Sequence, residues 1–164
     1  MMDKLTDKQW HIDQWLSRMD DHNGELVQLY TRRDDIISSM SGIGSYDAEK
    51  VHGGSDPNPT EAKNIEYVSI CSRIEKIERK IAIENARTLD VINKVSDSKL
   101  RGMMIGRYIN HLSWKKVGEM YYYGRSSSYN YRGACLNAIA PFIPKEAFIE
   151  KNKFSSQKDW TLLD

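Results

Sequence analysis

Between residues 7 and 41 apolar side chains recur at steps built from three and four: Ile12, Leu16, Met19, Leu26, Tyr30, Ile37 and Met40. An α-helix has 3.6 residues per turn, so this spacing collects them along one side of a helix. Asn23 and Arg33 fall on the same seam as its two polar interruptions. A second stripe of Trp15, His22, Leu29 and Ile36 widens the face. A face of that breadth suits packing in a helical bundle and is wider than a strict coiled-coil seam. Gly24 weakens the helix locally.

A second long helix is predicted over 60–95. Thr60 is a good N-cap and Glu61 places negative charge in the first turn, where the helix dipole favours it. Its seam runs through Tyr67, Ile70, Ile74, Ile77, Ile81, Thr88, Val91 and Val95, with a gap at Glu84. Opposite charges four residues apart occur at Glu75–Arg79, Lys80–Glu84 and Asp90–Lys94. The 41–60 stretch between the helices, rich in Gly, Ser, Pro and Asn, reads as a flexible connection. Its Gly53-Gly54 is followed by no Gly-Lys-Ser/Thr, so it does not read as a phosphate-binding loop. The two helices are expected to pair antiparallel within the chain or across a dimer. Residues 1–95 thus read as a long helical hairpin or coiled-coil-like oligomerisation region, whose carboxylates form a solvated face rather than an acid/base pair.

Residues 96–144 break into three shorter helices. Ser96 or Ser98 is placed to cap the first, which would bury Leu100, Met103, Met104, Tyr108 and Leu112. Ser113 is placed to cap the second, with Trp114, Val117, Gly118 and Tyr121 on one face and Gly118 at a close helix contact. A turn at Tyr122-Tyr123-Gly124 leads to the third, which starts near Arg125 and would bury Ser128, Tyr131, Cys135, Leu136 and Ile139. Pro141 and Pro144 end it.

Charge singles out this same region. The chain has 24 Lys and Arg against 23 Asp and Glu, a net charge of +1. Residues 1–50 are net −4, 51–98 net −1, 99–139 net +6 and 140–164 neutral. Such segregation points to nucleic acid or another anionic partner. Two short helices around a tight turn, the second rich in basic and polar residues, have the organisation of a helix-turn-helix. In that arrangement the third helix enters the major groove. Arg125, Ser126, Ser127, Tyr129, Asn130 and Arg132 are its candidate base contacts, since Arg pairs with guanine and Asn with adenine. Lys99, Arg101, Arg107, Lys115 and Lys116 are candidate phosphate contacts.

From Ser113 to Ile139 the pattern resembles the region-four helix-turn-helix of primary sigma factors. Val117-Gly118, Tyr121, Tyr131, Cys135-Leu136 and Ile139 fall on or near its core positions. Arg107-Tyr108-Ile109 followed by Leu112-Ser113-Trp114 resembles a narrower group, the phage-encoded sigma-like regulators of the RinA/ArpU type. Tyr123 to Arg132 stands where their recognition helix begins, and the Glu49–Pro57 stretch is similar to their linker. Gly118 replaces the usual Ala, and Gly124 replaces a Ser or Thr cap. Ser128 replaces a buried β-branched residue, and Asn130 stands at an often basic position.

The resemblance implies an all-α protein with a sigma region-four-like helix-turn-helix at 96–144. The function it implies is sequence-specific binding of double-stranded DNA, regulating transcription of phage or prophage genes. A homodimer on two half-sites fits such a small reader, and contact with host RNA polymerase is implied by the resemblance alone. The alternative is a phage small terminase subunit, which also joins a helix-turn-helix to a helical oligomerisation region and recognises packaging-site DNA. A second alternative is an interaction protein whose basic face binds another protein.

Other classes find little in the sequence. No apolar run approaches the roughly 18 residues of a membrane span, and the polar start lacks the apolar core of a signal peptide. Cys71 and Cys135 lie far apart without a CxxC, and His11, His22, His52 and His111 are scattered, so neither a disulfide framework nor a metal site is expected. No catalytic constellation, cofactor or membrane partner is expected, and the host-cell cytoplasm is the expected location. The tail, 145–164, either docks on the body or meets a partner.

Overall fold

Thr6 lies in extended backbone with its hydroxyl accepting from the Gln9 amide, while the Gln9 side chain accepts from the Thr6 amide. This reciprocal cap starts α1 (Asp7–Leu16). The computed structural model describes residues 5–41, 58–122 and 125–149, and within these the side chains of 125–129 and 149 lie outside the description. Every regular element among the described residues is helical, so the fold is all-α.

The single helix expected over 7–41 is broken. α1 ends at Leu16 and α2 (Asp20–Ser41) begins after a turn at 17–19. There the backbone ladder tightens, with the amides of Arg18 and Asp20 bonding to the carbonyls three residues back. The Arg18 guanidinium folds over the Trp15 ring at 4.0 Å, donates to the Trp15 carbonyl at 2.6 Å and pairs with Glu84 at 2.8 Å. Beyond the break the apolar phase shifts, so Ile36 is buried and Ile37 is exposed.

α3 (Pro59–Ile92) starts one residue before the expected Thr60 cap. Asn58 supplies the cap oxygen to the Thr60 amide at 3.2 Å, and Pro59 takes the first helical position, where a missing N–H is tolerated. The predicted seam is followed closely: Ile74, Ile77, Thr88, Val91 and Val95 are buried, while Tyr67, Ile70 and Ile81 are half-buried. α4 (Ser98–Met104) is capped by Asp97, whose carboxylate accepts from the Lys99 and Leu100 amides, and not by Ser96 or Ser98. A π-helical turn, Ile105–Ile109, continues it. α5 (Trp114–Met120), α6 (Arg125–Ile139), a 3₁₀ turn at Ala140–Phe142 and the short α7 (Glu146–Ile149) follow.

The chain forms two units, one of Met1–Asp20 with Glu84–Asp164 and one of Asp21–Ile83. This departs from the boundary expected at 95/96. Ile12 and Leu16 of α1 are fully buried in one core with Val91, Ile92, Val95, Met103, Met104, Tyr108, Val117, Cys135, Leu136 and Ile139. The first helix therefore belongs with the C-terminal helices. Each such aliphatic side chain contributes about 1.5–3 kcal/mol by burial. The start of the tail docks here as well, since Ala147 is buried and Phe148 meets His11 edge-on at 6.2 Å. Residues 150–164 of the tail and 42–57 of the expected flexible connection lie outside the described residues.

In the second unit α2 and α3 run antiparallel. Cross-helix contacts go from His22–Lys80 at one end, through Glu25–Arg73, to Arg32–Glu66 at the other, and Tyr30 reaches Glu78. None of the three expected i,i+4 pairs lies within ion-pair distance among the described residues. Charged side chains of α3 instead reach across to α2.

Candidate nucleic-acid interface

The α5–α6 pair rests on α4 and its π-helical extension through two close approaches. A Cβ placed at Gly102 would run into the Tyr121 hydroxyl, and one at Gly106 would lie 3.3 Å from a Val117 methyl. At Gly102 the end of the Tyr121 side chain would have to move, and at Gly106 Val117 would have to give by a few tenths of an ångström, so both glycines mark tight contacts under α5. Trp114 meets Tyr108 edge-on at 5.9 Å. Between the π-turn and α5 the chain reverses at His111, a non-glycine residue at φ 55, and the Leu112 amide bonds back to the Gly106 carbonyl. A left-handed non-glycine residue costs about 1–2 kcal/mol. Asp20 holds the reversal in place, with one carboxylate oxygen 2.8 Å from His111 Nδ1 and the other accepting from Arg107 at 3.0 Å.

Ser113 starts α5 as expected, in extended backbone with its hydroxyl accepting from the Lys116 amide at 3.2 Å. Val117 and Gly118 are buried beneath it, with Trp114 and Tyr121 half-buried. Tyr122 then turns the chain at φ 59 and its side chain is 97% exposed. Of the five α6 residues expected to be buried, Cys135, Leu136 and Ile139 are fully buried and Tyr131 is half-buried, while the Ser128 side chain lies outside the described residues. Burial pushes the Cys135 thiol up to about 12, which makes it an inert small hydrophobe.

One buried polar network ties α6 to α1. The Tyr108 hydroxyl donates to one oxygen of Asp13 at 2.6 Å, and Arg132 donates to the other at 2.9 Å. Burial, then the Asp13 charge and hydrogen bond, holds the Tyr108 phenol well above its ordinary range, so it remains a donor. Gln9 adds a hydrogen bond to Asn137 at 3.0 Å.

The predicted contact residues divide into three groups. Lys115 and Lys116 are exposed in the first turn of α5. Lys116 has Glu119 at 3.7 Å as a counter-charge, while Lys115 has no carboxylate within ion-pair distance among the described residues. Asn130 is exposed on α6, and Lys99 is exposed on α4 with its ammonium 5.4 Å from the Tyr131 ring. The second group faces inward. Arg132 is held by Asp13, Arg107 by Asp20, and Arg101 donates to the Val95 and Ser96 carbonyls just past the end of α3. Releasing Arg132 to a base would leave the buried Asp13 carboxylate without its counter-charge, a costly exchange. These three arginines are structural in this arrangement. The third group, Arg125, Ser126, Ser127 and Tyr129, is helical in backbone, with side chains outside the description.

Gly102, Gly106 and Asp13 join the predicted residues in positioning the interface. The two glycines stand four apart, a signal of close helix approach that was available. Asp13 sat among other acidic residues with nothing to distinguish it. Among the described residues no group of three His, Cys, Asp or Glu side chains is placed to hold a metal ion, and no helix is long and apolar enough to cross a membrane. No family model matches the chain, and neither a curated protein nor a solved structure matches it.

Proposed function

We propose that the chain binds double-stranded DNA through α5 and α6 and regulates transcription of phage or prophage genes. The observation that carries this reading is the exposed pair Lys115–Lys116 at the start of α5, within the segment that holds the chain's positive excess. Cations in a first turn oppose the helix dipole, so the pair does little for the stability of α5 itself. Phosphate oxygens give it a purpose. In this reading α6 is the recognition helix, with Arg125, Ser126, Ser127, Tyr129 and Asn130 towards the bases. Affinity comes from phosphate contacts and discrimination from these side chains; no bond is made or broken. A homodimer supplies the second half-site, and a surface contact with RNA polymerase would belong to the same role.

Selection of bound sequences from a random duplex pool, repeated with Asn130→Ala, tests it. The wild type should enrich one motif. The variant should relax one base position by about 1–3 kcal/mol. Absence of any enriched motif would contradict sequence-specific recognition. A ring-sized assembly that enriches a packaging site would instead favour the terminase reading.

A further inference from the structure

The antiparallel helices of the second unit leave an open groove of about 540 Å³ between them. From α3 it is lined by Ser69, Ser72, Arg73, Lys76 and Lys80, on one face at helical spacing. From α2 it is lined by His22 and by Glu25, the one carboxylate in the lining. Glu25 is engaged by Arg73, so it leaves the lysines uncompensated. Glu78 of α3 lies outside the lining and accepts from the Tyr30 hydroxyl. No carboxylate lies within ion-pair distance of Lys76 or Lys80 among the described residues. The Lys80 ammonium instead sits 2.9 Å from His22 Nε2, a contact in which the imidazole has to accept. Two ammonium groups, two hydroxyls and an imidazole therefore line one depression, inside a region that is acidic by its overall count.

We propose that this groove binds phosphate groups of a nucleic-acid backbone, a second contact in addition to the one through α5 and α6. Ser69 to Lys80 spans roughly 16 Å of helix at 1.5 Å per residue, a length that accommodates more than one phosphate. Serine hydroxyls and ammonium groups with no base-reading partner suit backbone oxygens rather than base edges. An anion seated between His22 and Lys80 would replace an imidazole–ammonium contact with two charge-assisted ones. The inference rests on the DNA-binding reading for its source of phosphate, and extends it to a unit of net negative charge.

The test uses the full chain and the double variant Lys76→Gln/Lys80→Gln, both exposed positions whose replacement leaves the core untouched. Duplex affinity is measured across a salt series, and inorganic tripolyphosphate is titrated by NMR with His22, Ser69 and Ser72 as reporters. The expected result is a fall of roughly 2 in the log–log salt slope of the variant, from two lost phosphate contacts. Wild-type His22, Ser69 and Ser72 signals should shift with tripolyphosphate, and the variant's should not. If the wild type binds duplex, the variant keeps its full slope and tripolyphosphate leaves His22 unmoved, the groove is overturned while DNA binding stands. If the wild type binds no duplex, the DNA reading fails, and the tripolyphosphate shifts alone decide whether the groove is a phosphate site.

Discussion

Asp13 is the one charged residue that is buried among the described residues. Its two carboxylate oxygens are divided between Tyr108 and Arg132, and its side chain is 8% exposed. Asp13→Ala should cost about 3–5 kcal/mol, because it strands a guanidinium and a buried phenol together. Tyr108→Phe should cost nearer 1 kcal/mol. Urea midpoints of the two variants check the ranking. Glu84 gives a pH-dependent counterpart. Burial opposes its charge, but Arg18 and then Arg87 hold the carboxyl below its ordinary 4.5. The unfolded group binds protons at higher pH than the folded one. Its contribution is therefore full above about pH 4.5 and lost as the pH falls through the lower folded value. Glu84→Gln should flatten the acid-side decline in the urea midpoint, and a decline of unchanged steepness would show that other carboxylates govern it. Two glycines separate propensity from packing. Gly24 has open space where a Cβ would go, so Gly24→Ala should stabilise by about 0.5–1 kcal/mol. Gly102→Ala gains the same propensity but drives Tyr121 from its seat, and should destabilise by about 1–2 kcal/mol in thermal melts.

At the scale of elements, helical spacing was the most legible signal. The α3 seam and the centres of the buried sides of α4 and α6 can be read from steps of three and four, because those helices pack one face against a core, while Leu100, Leu112 and Tyr131 at the edges are only half-buried. The break at 17–19 could not be read that way. It rests on Arg18 reaching Glu84, 66 residues away, and on short-range carbonyl bonds that hydrophobic spacing does not encode. Basic charge was equally visible, but its direction was not. Arg107 and Arg132 point at carboxylates 87 and 119 residues earlier in the chain. Counting charges in a segment cannot register partners that distant. The candidate interface is accordingly narrower than the net charge implies, and its described outward cations are Lys99, Lys115 and Lys116. The two groups should separate by mutation. Lys115→Ala should lower the salt slope of duplex binding by about 0.9 and leave stability nearly unchanged. Arg107→Ala should lower the thermal midpoint and leave the slope as it was. The reverse pattern would reassign both residues.

For the whole molecule, helical spacing and charge suggest a divide at 95/96, whereas the units exchange at Asp20/Asp21 and Ile83/Glu84. The cause is visible in particular residues. Ile12 and Leu16 continue the seam of the first long segment, so spacing groups them with Leu26 and Tyr30. Their burial groups them with Met104 and Leu136. Periodicity identifies a helix face but not the core that receives it. The proposed function requires this fold to present cations to duplex DNA. Its most direct test is the affinity of the full chain for duplex DNA as a function of salt. Binding should weaken steeply and linearly in log–log form as salt rises, with a slope reduced in Lys115→Ala. Binding that ignores salt, or no binding at low salt, would contradict it.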